Sequence, residues 1–270
     1  MTSTSGSPQQ LQPVSAAAVV THGRVDVHDA VERVRAVAER CGVRIVEEPR
    51  DGNLAVVLGG DGTILRTLAH LLGTDVPVIG VNFGRVGFLA SIKPADLERS
   101  LERVFAGEYV VTELPTLELA LDGDRHVAVN DVVATSSTLG RMVELSWSVA
   151  GEDLGIVPCD GVICSTPSGS TAYNLSNGGP VLERGLDAMA ITFIAPHSLH
   201  ARPLVVGRGS TVTIRNVTAD VGCAVLVDGH RTAELPPGAG ADVYLCRART
   251  LLASLPETSF FRRYRETFAS

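Results

Sequence analysis

The chain has 270 residues, of which 45% are hydrophobic and 20% charged, and its formal net charge is −7. This length suffices for one large globular domain or two smaller ones. The negative charge, without a basic face, argues against a nucleic-acid partner. No run of about 18 apolar residues occurs, so we expect no transmembrane helix and no membrane partner.

The chain carries five cysteines without CxxC spacing, at positions 41, 159, 164, 223 and 246. An odd number of widely spaced cysteines favours reduced, buried thiols in a cytoplasmic protein and argues against a zinc site. Residues 1–13 are rich in serine, glutamine and proline and lack the basic and apolar regions of a signal peptide. We predict that they form a disordered tail.

Strand and helix patterns alternate from residue 14 to residue 114. Residues 16–21 form an apolar run, and residues 54–58 are apolar throughout, as expected of a strand covered on both faces. Between them Asp29 and Glu32 form a capping-box pattern at the start of a helix that Gly42 ends. This order predicts an α/β domain with a parallel sheet.

Short alternating strands, separated by glycine, proline, aspartate and asparagine, dominate residues 115–255. They predict an antiparallel β domain, and one of its strands is expected over residues 126–133. Residues 256–270 are rich in phenylalanine and arginine. We expect this segment to form a terminal helix, or to dock back on the N-terminal domain or on a neighbouring molecule.

A glycine-rich turn, Gly59-Gly60-Asp61-Gly62-Thr63, follows the predicted buried strand directly. Glycines permit positive φ and a close approach of the backbone to a ligand, and the following helix offers amide groups to an anion. Because open α/β sheets bind ligands at the carboxyl ends of their strands, this turn is a candidate phosphate site. Asp61 would then bind Mg²⁺ or accept a proton from an attacking hydroxyl. The alternative is a plain turn in which Asp61 caps the helix and no ligand binds.

Lysine is nearly absent from the chain, because Lys93 is the only one, and the phosphate-binding pattern GxxxxGK[ST] does not occur. Any phosphate must therefore be held by main-chain amides, by arginines or by a metal ion. Arg66 is one of the two arginines nearest to the glycine turn. It is a candidate phosphate contact, although a solvated arginine is the usual role.

A second polar segment runs from Asp160 to Tyr173, where a predicted strand leads into a turn around Pro167 and Gly169. Five hydroxyl residues fall within seven positions, a density that suits ribose hydroxyls, a phosphate or an adenine edge. The alternative is a turn and helix cap that use these hydroxyls internally. The five residues are Ser165, Thr166, Ser168, Ser170 and Thr171.

Two further pairs combine turn-forming residues with polar side chains. Asn130-Asp131 comes near the end of a predicted strand, and by composition it is a turn-forming pair. Asp228-Gly229 is typical of a hairpin turn. We include Asp228 with Asn130 and Asp131 among the candidate nucleotide-binding residues.

The glycine turn and the later run Asp160-Gly-Val-Ile-Cys-Ser-Thr-Pro-Ser-Gly-Ser-Thr-Ala-Tyr173 resemble the two signatures of NAD kinases. GGDGT alone is shared with diacylglycerol and sphingosine kinases, whereas the second run is much narrower. The resemblance spans about residues 54 to 230. It implies an N-terminal α/β parallel-sheet domain followed by a C-terminal β-sandwich, with NAD bound between domains and between subunits of a homodimer or homotetramer.

The resemblance also implies the residues of the site. Asp61 resembles the family's catalytic aspartate, which orients or deprotonates the 2′-hydroxyl of the adenosine ribose. Asn130 and Asp131 resemble the Asn-Glu pair that holds ribose hydroxyls, with aspartate standing where most relatives carry glutamate. The loop on the phosphate-donor side would be Gly59, Gly60, Gly62 and Thr63. The contacts to adenine and nicotinamide would come from Asp160, Thr171, Ala172 and Tyr173.

The implied reaction moves a phosphoryl group from ATP or polyphosphate to NAD, giving NADP. Because no phosphate-binding lysine is present, we expect Mg²⁺, or another divalent metal, to neutralise much of the donor's charge. Two alternatives remain open at the level of sequence: a lipid kinase of the diacylglycerol type, and an NAD(H)-binding sensor without catalytic activity.

Overall fold

A parallel sheet forms the centre of the N-terminal part of the chain. Its strands are β1 (Ala16–Thr21), β2 (Arg44–Val46), β3 (Leu54–Gly59) and β4 (Val78–Asn82), in the order β2-β1-β3-β4. All three pairings are parallel. Strand β3 is buried at every residue, which is the environment that its unbroken apolar sequence predicts.

The computed structural model describes residues 13–22, 27–84 and 87–268. Apart from Pro13, the predicted tail lies outside the described residues. The chain divides into two units: Met1–Glu113 with Thr250–Ser270, and Leu114–Arg249. We call them the N-terminal unit and the C-terminal unit.

Three helices accompany the parallel sheet: α1 (His28–Cys41), α2 (Asp61–His70) and α3 (Leu97–Phe105), with short 3-10 turns at Pro49–Asp51 and Pro94–Asp96. Helices α1 and α3 pack together and share one apolar core with β3. Helix α2 packs on β3 and β4 and buries Ile64 and Leu68. Within the part of the chain that the structure describes, no helix is long and apolar enough to cross a membrane.

The start of α1 differs from the prediction. The helix begins at His28 after Val27, and no side chain bonds to its first amide groups, so the predicted capping box is wrong. Because the helix begins before it, Asp29 is already helical and lies 3.7 Å from Arg33 one turn on. The helix ends as predicted, with Gly42 at a φ of 69°.

The end of the chain belongs to the N-terminal unit. Leu252, near the end of the long strand β16 (Gly240–Ser254), pairs in parallel with Val78. Ala253 and Leu255 are buried in the core that contains β3. The unit boundary therefore falls after Arg249, and not after residue 255 as the strand pattern predicts, because these apolar side chains pack on the N-terminal core.

A C-terminal helix, α5 (Phe260–Phe268), follows β16 and packs on the same unit. Arg103 of α3 bonds Glu257 at 2.6 Å just before this helix. Within α5, Arg263 donates to the carbonyl of Gly87 at 3.0 Å.

The C-terminal unit consists of two antiparallel sheets, as the resemblance to a β-sandwich implies. The first has the order β16-β13-β8-β9, with β5 paired to β16 and β6 to β5, and the second has the order β12-β11-β10-β7-β14-β15. Their strands are β5 (Val110–Leu121), β6 (Asp124–Ala128), β7 (Asp131–Ser136), β8 (Val143–Val149), β9 (Glu152–Cys159), β10 (Gly161–Ser165), β11 (Ala188–Ile194), β12 (Leu204–Gly207), β13 (Thr211–Asn216), β14 (Cys223–Val227) and β15 (His230–Leu235).

A single apolar core lies between the two sheets of this unit. Leu119 and Ile214 contribute from the first sheet, and Val162 and Ile191 from the second. Cys159, Cys164 and Cys223 lie in the same core, and Cys246 is also buried. Cys41 is exposed on α1, so the expectation of buried thiols is wrong for that residue.

One predicted strand, residues 126–133, is two strands in the structure. Strand β6 pairs with β5 in the first sheet, whereas β7 pairs with β10 and β14 in the second. The chain changes sheets at Val129 and Asn130, which interrupts the ladder. The continuous-strand prediction is wrong because local alternation carries no information about which sheet each half joins.

Gly80 in β4 sits where a side chain has no room. A Cβ atom there would lie 2.3 Å from Cδ1 of Ile64 and 3.1 Å from Cα of Ala90. We expect Gly80→Ala to lower the free energy of unfolding by about 1–3 kcal/mol because the core must shift to accept the methyl group. Denaturant unfolding followed by circular dichroism measures this change.

A double-mutant cycle tests whether contact with Ile64 causes the loss of stability in Gly80→Ala. Ile64→Val removes Cδ1, the atom nearest to the added methyl group. It should therefore lower the free energy of unfolding less in the Gly80→Ala background than in the wild type. Gly62→Ala is the matched control, because a Cβ at Gly62 meets no atom within 4 Å. Equal effects of Gly80→Ala and Gly62→Ala would contradict the packing account.

Candidate functional site

The glycine turn connects β3 to α2 as predicted. Gly59 is the last residue of β3, Gly60 is the N-cap with extended backbone, and Asp61 is the first helical residue. The amide of Thr63 already donates to the carbonyl of Gly60 at 2.9 Å. The first amides of α2 therefore point out of the helix start, where an anion is stabilised by them and by the helix dipole.

Close packing, rather than positive φ, explains the first glycines of this turn. None of Gly59, Gly60 and Gly62 has a positive φ. A Cβ on Gly59 would lie 2.8 Å from Oγ1 of Thr63, which is itself buried. A Cβ on Gly84 would lie 3.2 Å from Cα of Gly60, so the two main chains approach each other directly.

Asp61 is held by main-chain amides from a distant segment. Its Oδ2 accepts from the amide of Phe88 at 2.7 Å, and the amide of Leu89 lies 3.2 Å from each carboxylate oxygen. A Cβ on Gly87 would fall 2.3 Å from Oδ2 of Asp61, so only glycine fits there. The alternative in which Asp61 caps its own helix is wrong, because Gly60 is the N-cap and no side chain bonds to it.

The half-buried carboxylate of Asp61 keeps acceptor capacity. Each carboxylate oxygen has two lone pairs, and among the described residues Oδ1 accepts from the amide of Leu89 alone, at 3.2 Å. Its orientation is fixed by two amides that belong to a different element. Arg66 lies further along α2 and is exposed to solvent.

The residues after β4 were not singled out as functional by the sequence analysis. Asn82 ends β4 opposite Gly59, and its Oδ1 accepts from the amide of Gly84 at 3.0 Å. Phe88 and Leu89 supply the amides that hold Asp61. The available signal was that these residues lie within the span of the family resemblance, about residues 54 to 230, but the side chains of Phe88 and Leu89 carry no polar chemistry.

In the C-terminal unit, Asp228 organises the turn where the chain changes sheets. Its Oδ2 accepts from the amide of Val129 at 2.9 Å, and its Oδ1 accepts from Asn130 at 2.7 Å and from Asp131 at 3.2 Å. Its own amide donates to the carbonyl of Asp131 at 3.0 Å. Asp228 therefore fixes the main chain of Asn130 and Asp131, and both of its carboxylate oxygens accept from main-chain amides.

The side chains of Asn130 and Asp131 have few internal partners. Oδ1 of Asn130 is buried without a hydrogen-bond partner among the described residues. Burial, followed by the negative charge of Asp228, raises the pKa of the Asp131 carboxyl to about 7. Burial also raises the pKa of Asp228, although its three amide donors oppose the shift.

The hydroxyl-rich segment is brought against Asn130. The amide of Thr166 donates to the carbonyl of Asn130 at 2.8 Å, and Oγ1 of Thr166 donates to the carbonyl of Val129 at 2.7 Å. The same Oγ1 accepts from the amide of Gly169 at 3.0 Å. A Cβ on Gly169 would lie 2.1 Å from the carbonyl oxygen of Asn130, so glycine allows this contact.

Three of the five hydroxyls are fully buried and bond the main chain. Ser165 donates to the carbonyl of Thr166 at 3.1 Å. Ser170 donates to Pro167 at 2.6 Å and accepts from the amide of Leu182 at 2.9 Å. For Ser165, Thr166 and Ser170 the geometry is that of the internal turn, the alternative to direct contact with a ligand.

Among the other candidates of this segment, Ser168 is also buried, and the rest lie nearer the surface. Oγ of Ser168 is buried without a partner in the described structure, and Thr171 donates to the carbonyl of Ser168 at 3.2 Å. Thr171 and Ala172 are half-buried, whereas Tyr173, the first residue of α4 (Tyr173–Ser176), and Asp160 are exposed.

Asn174 was missed by the sequence analysis. Its side chain is fully buried, donates to the carbonyls of Ser170 and Pro180 at 3.0 Å each, and accepts from Oγ1 of Thr192 at 2.7 Å. A Cβ on Gly179 would lie 2.0 Å from its Oδ1. The signal was the Asn-Gly-Gly-Pro run at residues 177–180, whose second glycine is required by this contact.

The candidates therefore form two groups, one in each unit. Asp61 and the glycine turn belong to the N-terminal unit, and Asn130, Asp131 and the hydroxyl-rich segment belong to the C-terminal unit. Within the described ranges, no three His, Cys, Asp or Glu side chains lie together as a metal site. The chain thus offers a single organised carboxylate beside a helix N-terminus in the first group, and a buried polar cluster in the second.

Two protein-family models match the chain. The ATP-NAD kinase N-terminal domain matches residues 26–109, and the ATP-NAD kinase C-terminal domain matches residues 129–255. The NAD kinase of Heliobacterium modesticaldum is 39% identical over 222 residues, which cover 80% of this chain and 78% of that protein. NAD kinase 2 of Streptomyces avermitilis is 36% identical over 248 residues, which cover 89% of this chain and 79% of that protein.

Solved structures show the same fold. An NAD kinase from Archaeoglobus fulgidus in complex with ATP has a TM-score of 0.78 and 27% identity, and the match covers 94% of this chain and 97% of that one. Yeast NADH kinase complexed with NADH has a TM-score of 0.83 at 22% identity, covering 95% and 88% of the two chains. The α/β and β-sandwich fold and the resemblance stated from the motifs are confirmed, and the chain belongs to the NAD kinase family of phosphotransferases.

Proposed function

We propose that this chain transfers the terminal phosphoryl group of ATP or polyphosphate to the 2′-hydroxyl of the adenosine ribose of NAD, giving NADP. The observation that carries the proposal is the carboxylate of Asp61, fixed by the amides of Phe88 and Leu89 at the start of α2. A carboxylate beside a phosphate-binding helix start repels the phosphates of the donor. Its presence there supports a role in which it acts on the hydroxyl of the acceptor. The family relationship supplies the substrate class.

The donor's phosphates would bind at the glycine turn. Asp61 and Gly62 begin α2, and their amide groups and the helix dipole stabilise negative charge there. The turn itself contains no lysine, and Lys93 is the only lysine in the sequence. The ATP complex of the Archaeoglobus fulgidus relative supports ATP as the donor, and polyphosphate presents the same phosphoanhydride chemistry.

Asp61 would accept the proton of the 2′-hydroxyl as its oxygen attacks the terminal phosphorus. The new bond joins the ribose oxygen to phosphorus, and the bond from phosphorus to the bridging oxygen breaks, releasing ADP or a shortened polyphosphate. The proton then leaves Asp61 for solvent. Its two amide donors fix the carboxylate in one orientation, which directs the hydroxyl in line with the leaving group.

The donor set fits Mg²⁺ that is carried mainly by the substrate. Mg²⁺ keeps water and substrate phosphates as ligands and needs only one or two carboxylates from the protein. Asp61 is the carboxylate at the glycine turn, and the described residues contain no cluster that would form an all-protein cage. When bound, the metal would supply neutralisation of the phosphate charge.

The acceptor ribose would bind at Asn130 and Asp131. The unpartnered Oδ1 of Asn130 and the carboxyl of Asp131 are the acceptors that ribose hydroxyls require. Asp228 would act behind them by holding their main chain. Asp160, Thr171, Ala172 and Tyr173 would line the adenine and nicotinamide positions, and Ser168 offers a further unpartnered hydroxyl.

We also propose a cytoplasmic location and a homodimer or homotetramer. All five cysteines are unpaired, which suits a reducing compartment. Phe261, Tyr264 and Phe268 of α5 are exposed, which supports contact with another copy. Light scattering coupled to size-exclusion chromatography gives the oligomeric state.

Replacing Asp61 with asparagine tests the catalytic role. Asp61→Asn keeps the shape of the side chain and removes the base, so we expect kcat for NADP formation to fall about 10²–10⁴-fold. The Kd for NAD should change less than threefold. Asp75→Asn, an exposed aspartate of the same unit, is the control and should retain full activity. Activity of Asp61→Asn within threefold of wild type would reject the role of base.

Metal removal tests the account of charge neutralisation. EDTA should abolish NADP formation, and excess Mg²⁺ should restore it, because the glycine turn has no lysine to replace the metal. Polyphosphate and ATP should be tested separately as donors. Full activity in EDTA with either donor would contradict this account. If no NADP forms with either donor, lipid kinase and NAD-binding assays distinguish the two alternatives.

The pH dependence of NAD binding tests Asp131. Its raised pKa of about 7 leaves the carboxyl neutral below that pH, and ribose hydroxyls donate best to the ionised form. We expect the Kd for NAD to rise by up to about tenfold as pH falls from about 8 to 6. Calorimetry on Asp131→Asn should show weak binding that no longer varies with pH. Asp124→Asn, at an exposed position, is the control. The same pH dependence in Asp131→Asn would exclude Asp131 as its source.

A further inference from the structure

The C-terminal helix α5 reaches the segment that holds Asp61. Nη1 of Arg263 donates to the carbonyl of Gly87 at 3.0 Å. The next two residues, Phe88 and Leu89, donate their amides to Asp61. A peptide chain of three residues thus connects the guanidinium of Arg263 to the carboxylate of Asp61.

A second contact from α5 holds the same segment. The ring of Phe268 stacks on the ring of Phe88, with centroids 5.6 Å apart and planes inclined by 23°. Arg263 and Phe268 lie more than one helical turn apart, so α5 contacts residues 87–88 at two separate positions. The start of α5 is itself anchored, because Arg103 bonds Glu257 at 2.6 Å.

Arg263 differs from the arginines around it. Arg262, the preceding residue, is exposed and pairs with Glu266 at 3.1 Å. Arg263 is half-buried and bonds a carbonyl, and burial lowers the pKa of its guanidinium while the charges of Asp61 and Glu266 oppose that shift. A partly desolvated guanidinium that bonds a neutral carbonyl is costly, which indicates that its position serves a purpose beyond local stability.

We propose that Arg263 is a positioning residue for Asp61, acting through its bond to Gly87 on the segment 87–89 that holds the carboxylate. This inference rests on the proposed role of Asp61 in phosphoryl transfer. Helix α5 thereby makes the end of the chain a part of the catalytic architecture. Since a displacement of about 1 Å in a reacting group costs on the order of 10²-fold in rate, the bond has a measurable kinetic consequence.

The test compares Arg263→Ala with Arg262→Ala. We expect Arg263→Ala to lower kcat about 10–100-fold with the KM for NAD within about threefold. Arg262→Ala, the matched control on the neighbouring exposed residue, should keep wild-type kcat. Arg263→Lys should recover part of the loss, because an ammonium also donates to the Gly87 carbonyl.

Chemical rescue separates positioning from a general loss of structure. A cavity of about 820 Å³ is lined by Gly87 and Arg263, which gives a small cation access to the vacated position. Guanidinium chloride at low concentration should raise the activity of Arg263→Ala severalfold and leave wild type unchanged, with sodium chloride of equal ionic strength as the control. Loss of activity without rescue, together with a lowered melting temperature, would overturn the proposal in favour of a structural role.

Amide hydrogen exchange supplies a readout that does not depend on turnover. In Arg263→Ala the amides of Phe88 and Leu89 should exchange at least about tenfold faster, while those of β3 keep their protection. Unchanged exchange and unchanged kcat would reject the positioning role even if wild type makes NADP. Faster exchange in a protein whose wild type makes no NADP would retain the positioning of Asp61 and reject the proposed function instead.

Discussion

Hydrogen bonds from main-chain amides to aspartate carboxylates determine the shape of both candidate groups. Residues 88–89 and 129–130 lie outside the strands, so their amides need acceptors other than a ladder partner. Asp61 accepts from the first segment and Asp228 from the second. Leaving such amides buried without a partner costs about 1–3 kcal/mol each, so neither segment is free to take another path. Each carboxylate is fixed by the same bonds, which makes the irregular backbone and the site chemistry interdependent.

The two carboxylates differ in what remains available to a ligand. Both oxygens of Asp228 accept amides of the turn, so we propose that its role is to present Asn130 and Asp131. Asp61 is half-buried, and within the part of the chain that the structure describes its Oδ1 accepts a single hydrogen bond, at 3.2 Å. The hydroxyl-rich segment resembles Asp228, because its polar groups bond the main chain. Thr166 bonds the carbonyls of Asn130 and Val129 and accepts from the amide of Gly169. Many polar residues of the two motifs therefore hold the main chain of the candidate site in place. Only some of them keep polar atoms that a ligand could contact.

The sequence predicted what depends on local pattern. The apolar run of β3, the glycine turn after it and the alternating strands of the second unit each follow from periodicity and turn chemistry. Local pattern does not predict contacts between residues that are distant in sequence. Nothing near Asp61 indicates that residues 88 and 89 hold it, and alternation across residues 126–133 cannot reveal a change of sheet at Asn130. The family resemblance covers Gly87 and names Asn130, but it does not give the physical reason for either residue, which is close packing at Gly87 and a change of sheet at Asn130.

The distribution of positive charge bears on how the proposed phosphate donor would bind at a turn that contains no lysine. In the N-terminal unit, Arg33 pairs with Glu98 and Arg40 with Glu102, so these guanidinium charges are balanced by neighbouring carboxylates. Arg263 instead bonds a neutral carbonyl, and its guanidinium interacts electrostatically with the carboxylates of Asp61 and Glu266. A partly desolvated charge acts more strongly on its surroundings than a solvated one, because less water screens it. The arginine that we propose as a positioning residue for Asp61 would therefore also offset part of the repulsion between Asp61 and an incoming phosphate. In this proposal, orientation and charge compensation would both come from one side chain of α5, which bonds a carbonyl more than 170 residues earlier in the sequence.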